Sequence, residues 1–494
     1  METLRDTAFG KLVRLISRHR WMQYPEEQDP SVWTEYLKTE TETEKTEEEP
    51  STPTTETENP EDLEAFGIYS LRSQLSSRSR RMSYASTLQN GGPDPTNKQP
   101  FVISWRGPDD PENPQNWSLR KKSCVSCLIW LLTFAIYIGS AIYTPGIPGV
   151  SKQFGVSSVA ATLGLTLFVL GYGLGPMIWS PLSEIPMIGR SPTYVLTLFV
   201  FVFFQLGVIY AQNFGMLLAF RFLTGFIGSP ALATGAASMG DIWSSKVRDY
   251  MIAVWGMFAI SAPVLGPMLG GFAASAEGWT WTIWQLLWVS AFTFVLLFFF
   301  LPETFAPNIL ARRARRVRRI TGNSQYMADA EIEIKEIKPM DVLFESLVRP
   351  FQLCFFEPIV LLLNLYIALI YGILYIWFEA FPIVFSEIHG FNPGESGLAF
   401  MGILVSTCCI TIPGYFYWKY RYQSRHFDKE GNIAPEYQMP PAVIGAFALP
   451  ISLFWFGWTG NFASDSPYFV AAIKAVEVSA NLDILKYVSS PDSF

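Results

Sequence analysis

Residues 124–143 read CVSCLIWLLTFAIYIGSAIY, a run of 20 residues without a charged side chain. The hydrocarbon core of a bilayer is about 30 Å thick, so a spanning helix needs about 20 apolar residues. Similar stretches recur, and we predict spans at 124–143, 159–179, 193–211, 216–239, 250–275, 281–302, 355–385, 397–417 and 441–458. A tenth begins at Pro467 but is not sustained. The pattern predicts an all-α membrane protein.

The overall composition excludes several classes of protein. Of 494 residues, 50% are hydrophobic and only 16% are charged, whereas about 25% are charged in an ordinary globular domain. A soluble enzyme of two or three domains is therefore excluded. Five cysteines are too few for a disulfide-stabilised secreted fold. No basic domain carries a motif that reads nucleic acid, so we expect no nucleic-acid partner.

Residues that could carry enzyme chemistry are sparse and scattered. The three histidines, His19, His389 and His426, are far apart in the sequence. No metalloprotease, serine-hydrolase or ATP-binding motif occurs. We therefore expect neither an enzyme nor a resident metal or cofactor. Without an ATP-binding loop, an ion gradient is the expected source of energy for transport.

The positions of lysine and arginine predict the orientation in the membrane. Cytoplasmic loops carry an excess of these residues. With the N-terminus in the cytoplasm, the inner loops hold 16 of them and the outer loops hold only Lys152. Nine of the 16 fall in one long loop, 303–354. We therefore predict a cytoplasmic N-terminus.

These signals divide the chain into five parts. Residues 1–121 are predicted to form a cytoplasmic, largely disordered tail, because the acidic stretch 39–64 cannot bury enough apolar surface to fold. Apolar residues at helical spacing within 1–20 leave two interpretations open, an amphipathic helix on the anionic inner leaflet or a weakly ordered tail. The other parts are a six-helix bundle at 122–302, a basic loop at 303–354, a partial second bundle at 355–475 and an atypical tail at 476–494.

Arg221 is the first candidate functional residue. It lies about two turns into the fourth predicted span, and nothing in that span neutralises it. Charges inside a bilayer are costly and are usually functional. Its partner must come from another helix or from water in a central cavity. The alternative is that its side chain extends to the outer interface.

A polar and aromatic stripe in the seventh span is the second candidate. Asn364, Tyr371, Tyr375, Phe378 and Glu379 fall along one helical face. Desolvation disfavours the charged form of a carboxylate, so Glu379 can exchange a proton near neutral pH. Tyrosine ring faces can hold a cation beside it. Helix packing, or a carboxylate that faces water at the outer end, remains the alternative.

The fifth span carries a ladder of small residues. Ala262, Gly266, Gly270 and Ala274 repeat every four residues, which lets another helix approach closely. Pro267 lies within the ladder and favours a kink. Close packing of this kind suits a transporter whose halves rock, but it also occurs in rigid receptors and membrane enzymes.

Glu184 and Arg190 bracket a tight turn at Gly189 in the loop after the second span. A charge pair between them could hold two helices in one conformation. This signal is weak when it is taken alone.

Several motifs together resemble the major facilitator superfamily, and within it the fungal drug:proton antiporters with twelve spans. Among these, the chain is most similar to the yeast benomyl–methotrexate and cycloheximide resistance transporters. The resemblance covers about residues 101–470. It rests on GSAIYTPGI (139–147), ATLGLTLFVLGYGLGP (161–176), SPLSE…GR (180–190), RFLTGFIGSPALATGAAS (221–238) and LPETF (301–305).

The resemblance implies roles for residues in three motifs. Arg221, with Gly225, falls on a motif associated with proton coupling, and we pair it with Glu379 as the candidate coupling charges. The resemblance also implies small-molecule substrates, protons and the lipid bilayer as partners, a monomer, and the plasma membrane rather than the vacuole. The antiporter motif of exporters falls on Gly266, Pro267, Gly270 and Gly271, and the conformational-switch motif falls on Glu184, Gly189 and Arg190.

The match weakens after FVAAI (469–473), because the following residues contain no 20-residue apolar run. A full second bundle would need roughly 75 more residues, so we expect an incomplete C-terminal bundle with about nine or ten of twelve spans present. The expected function is proton-coupled efflux of small amphipathic drugs. A carrier of polyamines or of another single metabolite, and a truncated product that does not transport, remain alternatives.

Overall fold

The computed structural model describes residues 2–18, 20–29, 36, 101–336, 347–348, 351–352, 354–388, 390–422 and 425, with single positions between 447 and 458. Eight helical segments within these residues are long and apolar enough to cross a membrane. They coincide with the first eight predicted spans. The ninth, 441–458, falls mostly outside the described residues, and the stretch from Pro467 and the tail 476–494 fall wholly outside them.

The first six membrane-crossing segments form one bundle. Its helices are α4 Leu119–Ala141, α5 Ile147–Phe154, α6 Ser158–Leu174, α7 Pro176–Glu184, α8 Arg190–Ile209, α9 Phe214–Gly228, α10 Pro230–Ile242, α11 Ser245–Glu277 and α12 Thr280–Phe300. Three short helices precede it, α1 Glu2–Arg5, α2 Ala8–Ile16 and α3 Pro25–Gln28.

The second bundle begins with α15 Pro358–Pro382, which continues into a π-helical turn, Ile383–Ile388. It goes on with α16 Pro393–Ala399, α17 Met401–Ser406, a second π-helical turn, Thr407–Thr411, and α18 Ile412–Arg421. Between the bundles lie α13 Ala306–Thr321, β2 Tyr326–Ala328 and α14 Asp329–Glu336.

Local signals set the ends of these helices. Asn213 caps α9, because its side chain accepts a hydrogen bond from the backbone N–H of Met216 at 2.7 Å. Gly155 ends α5 in the left-handed region at φ +66°, which a residue without a Cβ adopts readily. Helix α11 continues through Pro263 and Pro267 for 33 residues.

The helices bury side chains inward and expose large apolar ones outward. Leu198 and Phe201 of α8 are buried in the main cluster of the first bundle. On the outer surface, Leu196, Phe203 and Phe292 are exposed by half or more of their area. Exposed apolar area of this extent suits hydrocarbon rather than water. The chain is a multi-pass membrane protein.

Residues at both ends of the first bundle fold together as a cap, which we define as 2–18, 20–29, 36, 101–117 and 306–336. Strand β1, Phe101–Ile103, pairs in parallel with β2. Arg313 lies 2.8 Å from Asp110 and 3.0 Å from Glu112. Burial acts to raise the pKa of Asp110, but hydrogen bonds from Arg313 and from backbone N–H groups outweigh it and hold this pKa below its usual range.

The cap shows that two stretches of the predicted tail 1–121 are folded, whereas most of this tail lies outside the described residues. Residues 2–18, 20–29 and 101–117 are folded onto α12 and α13, because their charged side chains find partners that lie far away in the sequence. The acidic stretch 39–64 lies outside the described residues. For residues 1–20, the structure has a helix, α2, rather than a tail without structure.

Candidate functional site

Arg221 lies at the centre of the first bundle. It is 0% exposed, which excludes extension to the outer interface. Its Nε donates to the carbonyl of Gly164 at 2.9 Å, and Nη1 donates to the carbonyl of Gly139 at 3.0 Å. The guanidinium lies over the rings of Tyr143 at 4.7 Å and Phe168 at 4.4 Å. These four groups are neutral, and Nη2 is buried without a hydrogen-bond partner among the described residues.

Glu379 faces this region from the second bundle. The side chain is half-buried, and its Oε1 is buried without a hydrogen-bond partner in the described part of the chain. Tyr143 lies close enough to both Glu379 and Arg221 to interact with them electrostatically. Tyr143 thus links the two charges that we selected from different spans, since it lies over the guanidinium of Arg221 and within electrostatic range of Glu379. An acid with one unsatisfied buried oxygen is poorly solvated, which suits a group that gains and loses a proton.

Tyrosines from both bundles meet beside these charges. The hydroxyls of Tyr172 and Tyr375 are 2.7 Å apart, which links α6 to α15. The rings of Tyr137 and Tyr172 are 5.9 Å apart, and the hydroxyls of Tyr137 and Tyr371 interact. Phe378 packs against Tyr375 at 5.6 Å. We call Tyr137, Tyr172, Tyr371 and Tyr375 the tyrosine cluster.

Two members of the tyrosine cluster were missed by sequence reasoning. Tyr137 and Tyr172 lie on α4 and α6, where no stripe of polar residues marks them. The available signal was the position of Tyr172 between two glycines, which favours close helix contact at that level.

Asn364 is separate from the other residues of the predicted stripe. Its side-chain nitrogen lies 3.5 Å from the sulfur of Cys354, near the start of α15. The nearest member of the tyrosine cluster on this helix, Tyr371, is seven residues further along, which corresponds to about 10 Å at 1.5 Å per residue. The structure therefore does not place Asn364 with the tyrosine cluster.

The glycines of α11 contact both bundles. A Cβ added at Gly266 would lie 2.7 Å from the nitrogen of Ile142, and one at Gly270 would lie 2.5 Å from its carbonyl oxygen. These two glycines therefore let α11 approach α4 within the first bundle. Gly271 instead faces the backbone of Pro393, at the start of α16 in the second bundle. The expected close approach of helices along this ladder is present.

The loop after α7 is held by residues other than the expected pair. Glu184 is exposed, whereas Arg190 is buried and its Nε lies 2.8 Å from an oxygen of Asp241 on α10. Glu303 accepts a hydrogen bond from the backbone N–H of Arg190 at 3.0 Å. Gly189 has φ +84°, and an added Cβ would lie 2.6 Å from Glu303. The pairing of Glu184 with Arg190 was wrong, because the tight turn directs Arg190 toward α10.

An ion pair that the sequence did not suggest joins the start of α11 in the first bundle to the end of α18 in the second. Lys419 of α18 pairs with Asp249 of α11, and its ammonium lies 4.8 Å from the centre of the Tyr250 ring. Lys419 is buried. Because Gly271 meets Pro393 at the other end of α11, this helix contacts the second bundle at both membrane surfaces.

Two helical bundles that meet around a central polar and aromatic site define a membrane transporter. The family model of the Major Facilitator Superfamily matches residues 129–479, so the chain belongs to this family. Two solved structures share the fold at 15% identity. The proton:xylose symporter XylE has a TM-score of 0.52, with 76% of this chain and 83% of that chain covered. The human organic anion transporter MFSD10 has a TM-score of 0.50, with 74% and 85% covered.

Curated relatives are fungal transporters of this family. The chain is 46% identical over 362 residues to "Transporter mfs1" of Schizosaccharomyces pombe, with 73% of this chain and 68% of the relative covered. It is 44% identical to "Fluconazole resistance protein 1" of Saccharomyces cerevisiae, with 77% and 70% covered. It is 38% identical to "Cycloheximide resistance protein" of Candida maltosa, with 78% and 70% covered. The predicted family and fold class are confirmed.

Proposed function

We propose that the protein exports small amphipathic, often cationic compounds from the cytoplasm in exchange for protons. The bundle 122–302 rocks against 355–475 in the plasma membrane, with the N-terminus in the cytoplasm. Relatives named for drug resistance, at 38% and 44% identity, support a transporter that removes toxic compounds. The site residues support the exchange of a cation for a proton.

The observation that carries this proposal is the poorly solvated carboxylate of Glu379, within electrostatic range of Tyr143, whose ring stacks on Arg221. A single acid, half-buried at the bundle interface, can hold either a proton or a cationic substrate. The guanidinium of Arg221 is buried and donates hydrogen bonds to neutral carbonyl groups. A carboxylate in the same region, such as Glu379, would balance this charge when it loses its proton. The proton and the substrate compete for one carboxylate, so the transport of one is coupled to the transport of the other although the two are never bound together.

The cycle follows from this competition. In the inward-facing state, deprotonated Glu379 and the ring faces of the tyrosine cluster bind a cation from the cytoplasm. Rocking exposes the site outward and requires the hydrogen bond between Tyr172 and Tyr375 to rearrange. A proton from the more acidic exterior then displaces the cation from the carboxylate. The protonated site returns inward, where the proton is released.

A carrier of polyamines or of another single metabolite is the second candidate. One carboxylate among four tyrosine rings also suits a flexible organic polycation. The two candidates differ in breadth, because a polyspecific site accepts compounds of unrelated shape. Resistance to spermine alone would favour the second candidate.

The first test is growth of a yeast strain that lacks its own drug pumps and produces this protein. Cells would be exposed to benomyl, methotrexate, cycloheximide, fluconazole and spermine, with membrane abundance measured by blot. We expect resistance to several unrelated compounds. Sensitivity to all five compounds, with normal abundance of the protein in the membrane, would contradict the proposal.

The coupling residue is tested by Glu379→Gln, with Glu277→Gln as the matched control because Glu277 is exposed at the end of α11. Substrate efflux would be measured in vesicles over a range of external pH. We expect the pH dependence to be lost in Glu379→Gln and kept in Glu277→Gln, since the amide cannot take up a proton. An unchanged pH profile in Glu379→Gln would remove this residue from the coupling mechanism.

A further inference from the structure

The N-terminal segment carries an exposed apolar edge, which we define as Leu12, Leu15, Ile16 and Trp21. These side chains are 44%, 70%, 74% and 69% exposed. The opposite face of α2 is packed, with Gly10 and Arg14 buried. Large apolar side chains that are clustered and exposed mark a surface with a binding partner.

The position of α2 places this edge at the cytoplasmic ends of two spans. The ring of Phe9 lies 4.9 Å from Phe299 and 6.2 Å from Phe298, both in the last turn of α12. Thr7 forms a bridge with Pro302, just after that helix. Helix α2 also contacts α8. The edge therefore lies at the level where the spans leave the hydrocarbon.

The neighbouring surfaces of α8 and α12 face lipid. Phe300 in the last turn of α12 is 52% exposed, and Leu196 near the cytoplasmic start of α8 is 61% exposed. The apolar edge of α2 thus continues the lipid-facing surface of the first bundle. Tryptophan is enriched at this depth because its ring is apolar and its N–H is polar, and Trp21 fits that preference.

The exposed charges beside the edge are basic. Arg18 and Arg20 follow α2 and are exposed. The acids Glu26 and Glu27 are instead paired inside the cap, with Arg316 and Arg14. Positive charge beside an apolar edge complements the anionic lipids of the cytoplasmic leaflet.

The turn after α2 is held in place rather than left free. Arg14 donates through Nη1 to the carbonyl of Met22 at 2.6 Å and pairs with Glu27 at 2.7 Å. Arg18 and Met22 have positive φ values of 50° and 55°, a conformation that non-glycine residues adopt only when their surroundings impose it. This turn keeps Trp21 outward, and its backbone N–H donates to the hydroxyl of Ser17, the residue that follows Ile16, at 3.3 Å.

We propose that residues 9–21 bind the anionic cytoplasmic leaflet, with the apolar edge inserted among the acyl chains and Arg18 and Arg20 at the headgroups. The segment thereby fixes the cap to the membrane surface. This proposal is independent of the substrate and of proton coupling. The rival occupants are a second copy of the protein and another segment of the same chain.

The test uses the whole protein in nanodiscs, in a background without the five native cysteines. An environment-sensitive fluorophore is attached at Ile16→Cys, and at Gln28→Cys as the control, because Gln28 is exposed on α3 and is not part of the apolar edge. The nanodiscs contain phosphatidylcholine alone or with phosphatidylserine. Lipids that carry a quencher near the headgroup report contact with the leaflet.

We expect the label at position 16 to emit further to the blue and to lose intensity with the quencher lipid. The loss should increase with phosphatidylserine, and Arg18→Gln with Arg20→Gln should abolish that increase. The label at position 28 should not be quenched. A label at position 16 that stays in water overturns the proposal, as does a blue shift without lipid quenching. Such a shift would assign the edge to a second copy if it depends on protein concentration, and to the same chain if it does not.

Discussion

Gly271→Ala is expected to shift the balance between the two conformations of the transporter. A Cβ at Gly271 would lie 2.8 Å from the carbonyl carbon of Pro393 and 3.1 Å from Cα of Gly394. Ordinary carbon–carbon contacts begin near 3.5 Å, so α11 and α16 must separate by about 0.7 Å at their outer ends. Neither neighbouring group is a side chain that could rotate away.

The size of the effect follows from the cost of overpacking. Extra methyl groups in a close-packed contact cost about 1–3 kcal/mol. This penalty applies only to the conformation in which Gly271 contacts Pro393, so that the two bundles are closed at this end. It therefore reduces the population of that conformation by about 5- to 150-fold relative to the outward-open one.

The assay measures the distance between spin labels at the end of the bundles where Gly271 meets Pro393, at Lys152→Cys in the first bundle and Leu398→Cys in the second. Both positions are exposed. Gly271→Ala should move the distribution toward longer distances. Gly173→Ala is the control, because an added Cβ there meets nothing within 4 Å.

A second control separates bundle motion from stability. Gly266 faces Ile142 within the first bundle, so Gly266→Ala should lower the thermal stability and leave the distance distribution unchanged. If Gly271→Ala gives the same distances as Gly173→Ala, the contact with Pro393 does not control the conformation, and the reasoning is refuted.

Three further predictions concern other parts of the molecule. Gly270→Leu should block efflux, because its side chain would be forced between α11 and α4; normal efflux with normal abundance would contradict this. Asp249→Lys should weaken transport by opposing Lys419, and the double exchange with Lys419→Asp should restore it if the ion pair is the cause. Lys11→Met should raise the melting temperature at pH 7. Burial and the nearby charge of Arg312 lower the pKa of Lys11 to about 8, so its charged form opposes folding below pH 8. This penalty, about 3 kcal/mol, should disappear as the pH rises toward 10.5, the ordinary value for lysine; a gain that does not change with pH would refute the assignment.

The spans could be predicted because their signal is local. An apolar run such as 124–143 needs no information from the rest of the chain. The same holds for Arg221, because a charged residue within an apolar run can be recognised from the neighbouring sequence alone. Its partners were not predictable, because two backbone carbonyls and two rings come from different helices and carry no distinctive sequence pattern.

The cap could not be predicted for the same reason. The ion pair between Arg313 and Asp110 joins residues 203 positions apart, and each stretch taken alone has the composition of a solvated loop. The pairing of Glu184 with Arg190 failed in the opposite way. The two residues are close in sequence, but Arg190 pairs with Asp241, 51 positions further along, once the helices are packed.

The cap also changes the length of chain that connects the two bundles, which we propose to rock against each other. Measured from the end of α12, the connection to α15 would be residues 301–357. Because α13, β2 and α14 belong to the first bundle through the cap, only the 21 residues 337–357 separate Glu336 from Pro358. At about 3.3–3.6 Å per residue, this stretch spans at most ~75 Å when fully extended. The connection between the bundles is thus shorter than the loop 303–354 suggests. Shortening residues 337–357 should therefore restrict rocking after fewer deletions than the length of that loop would predict.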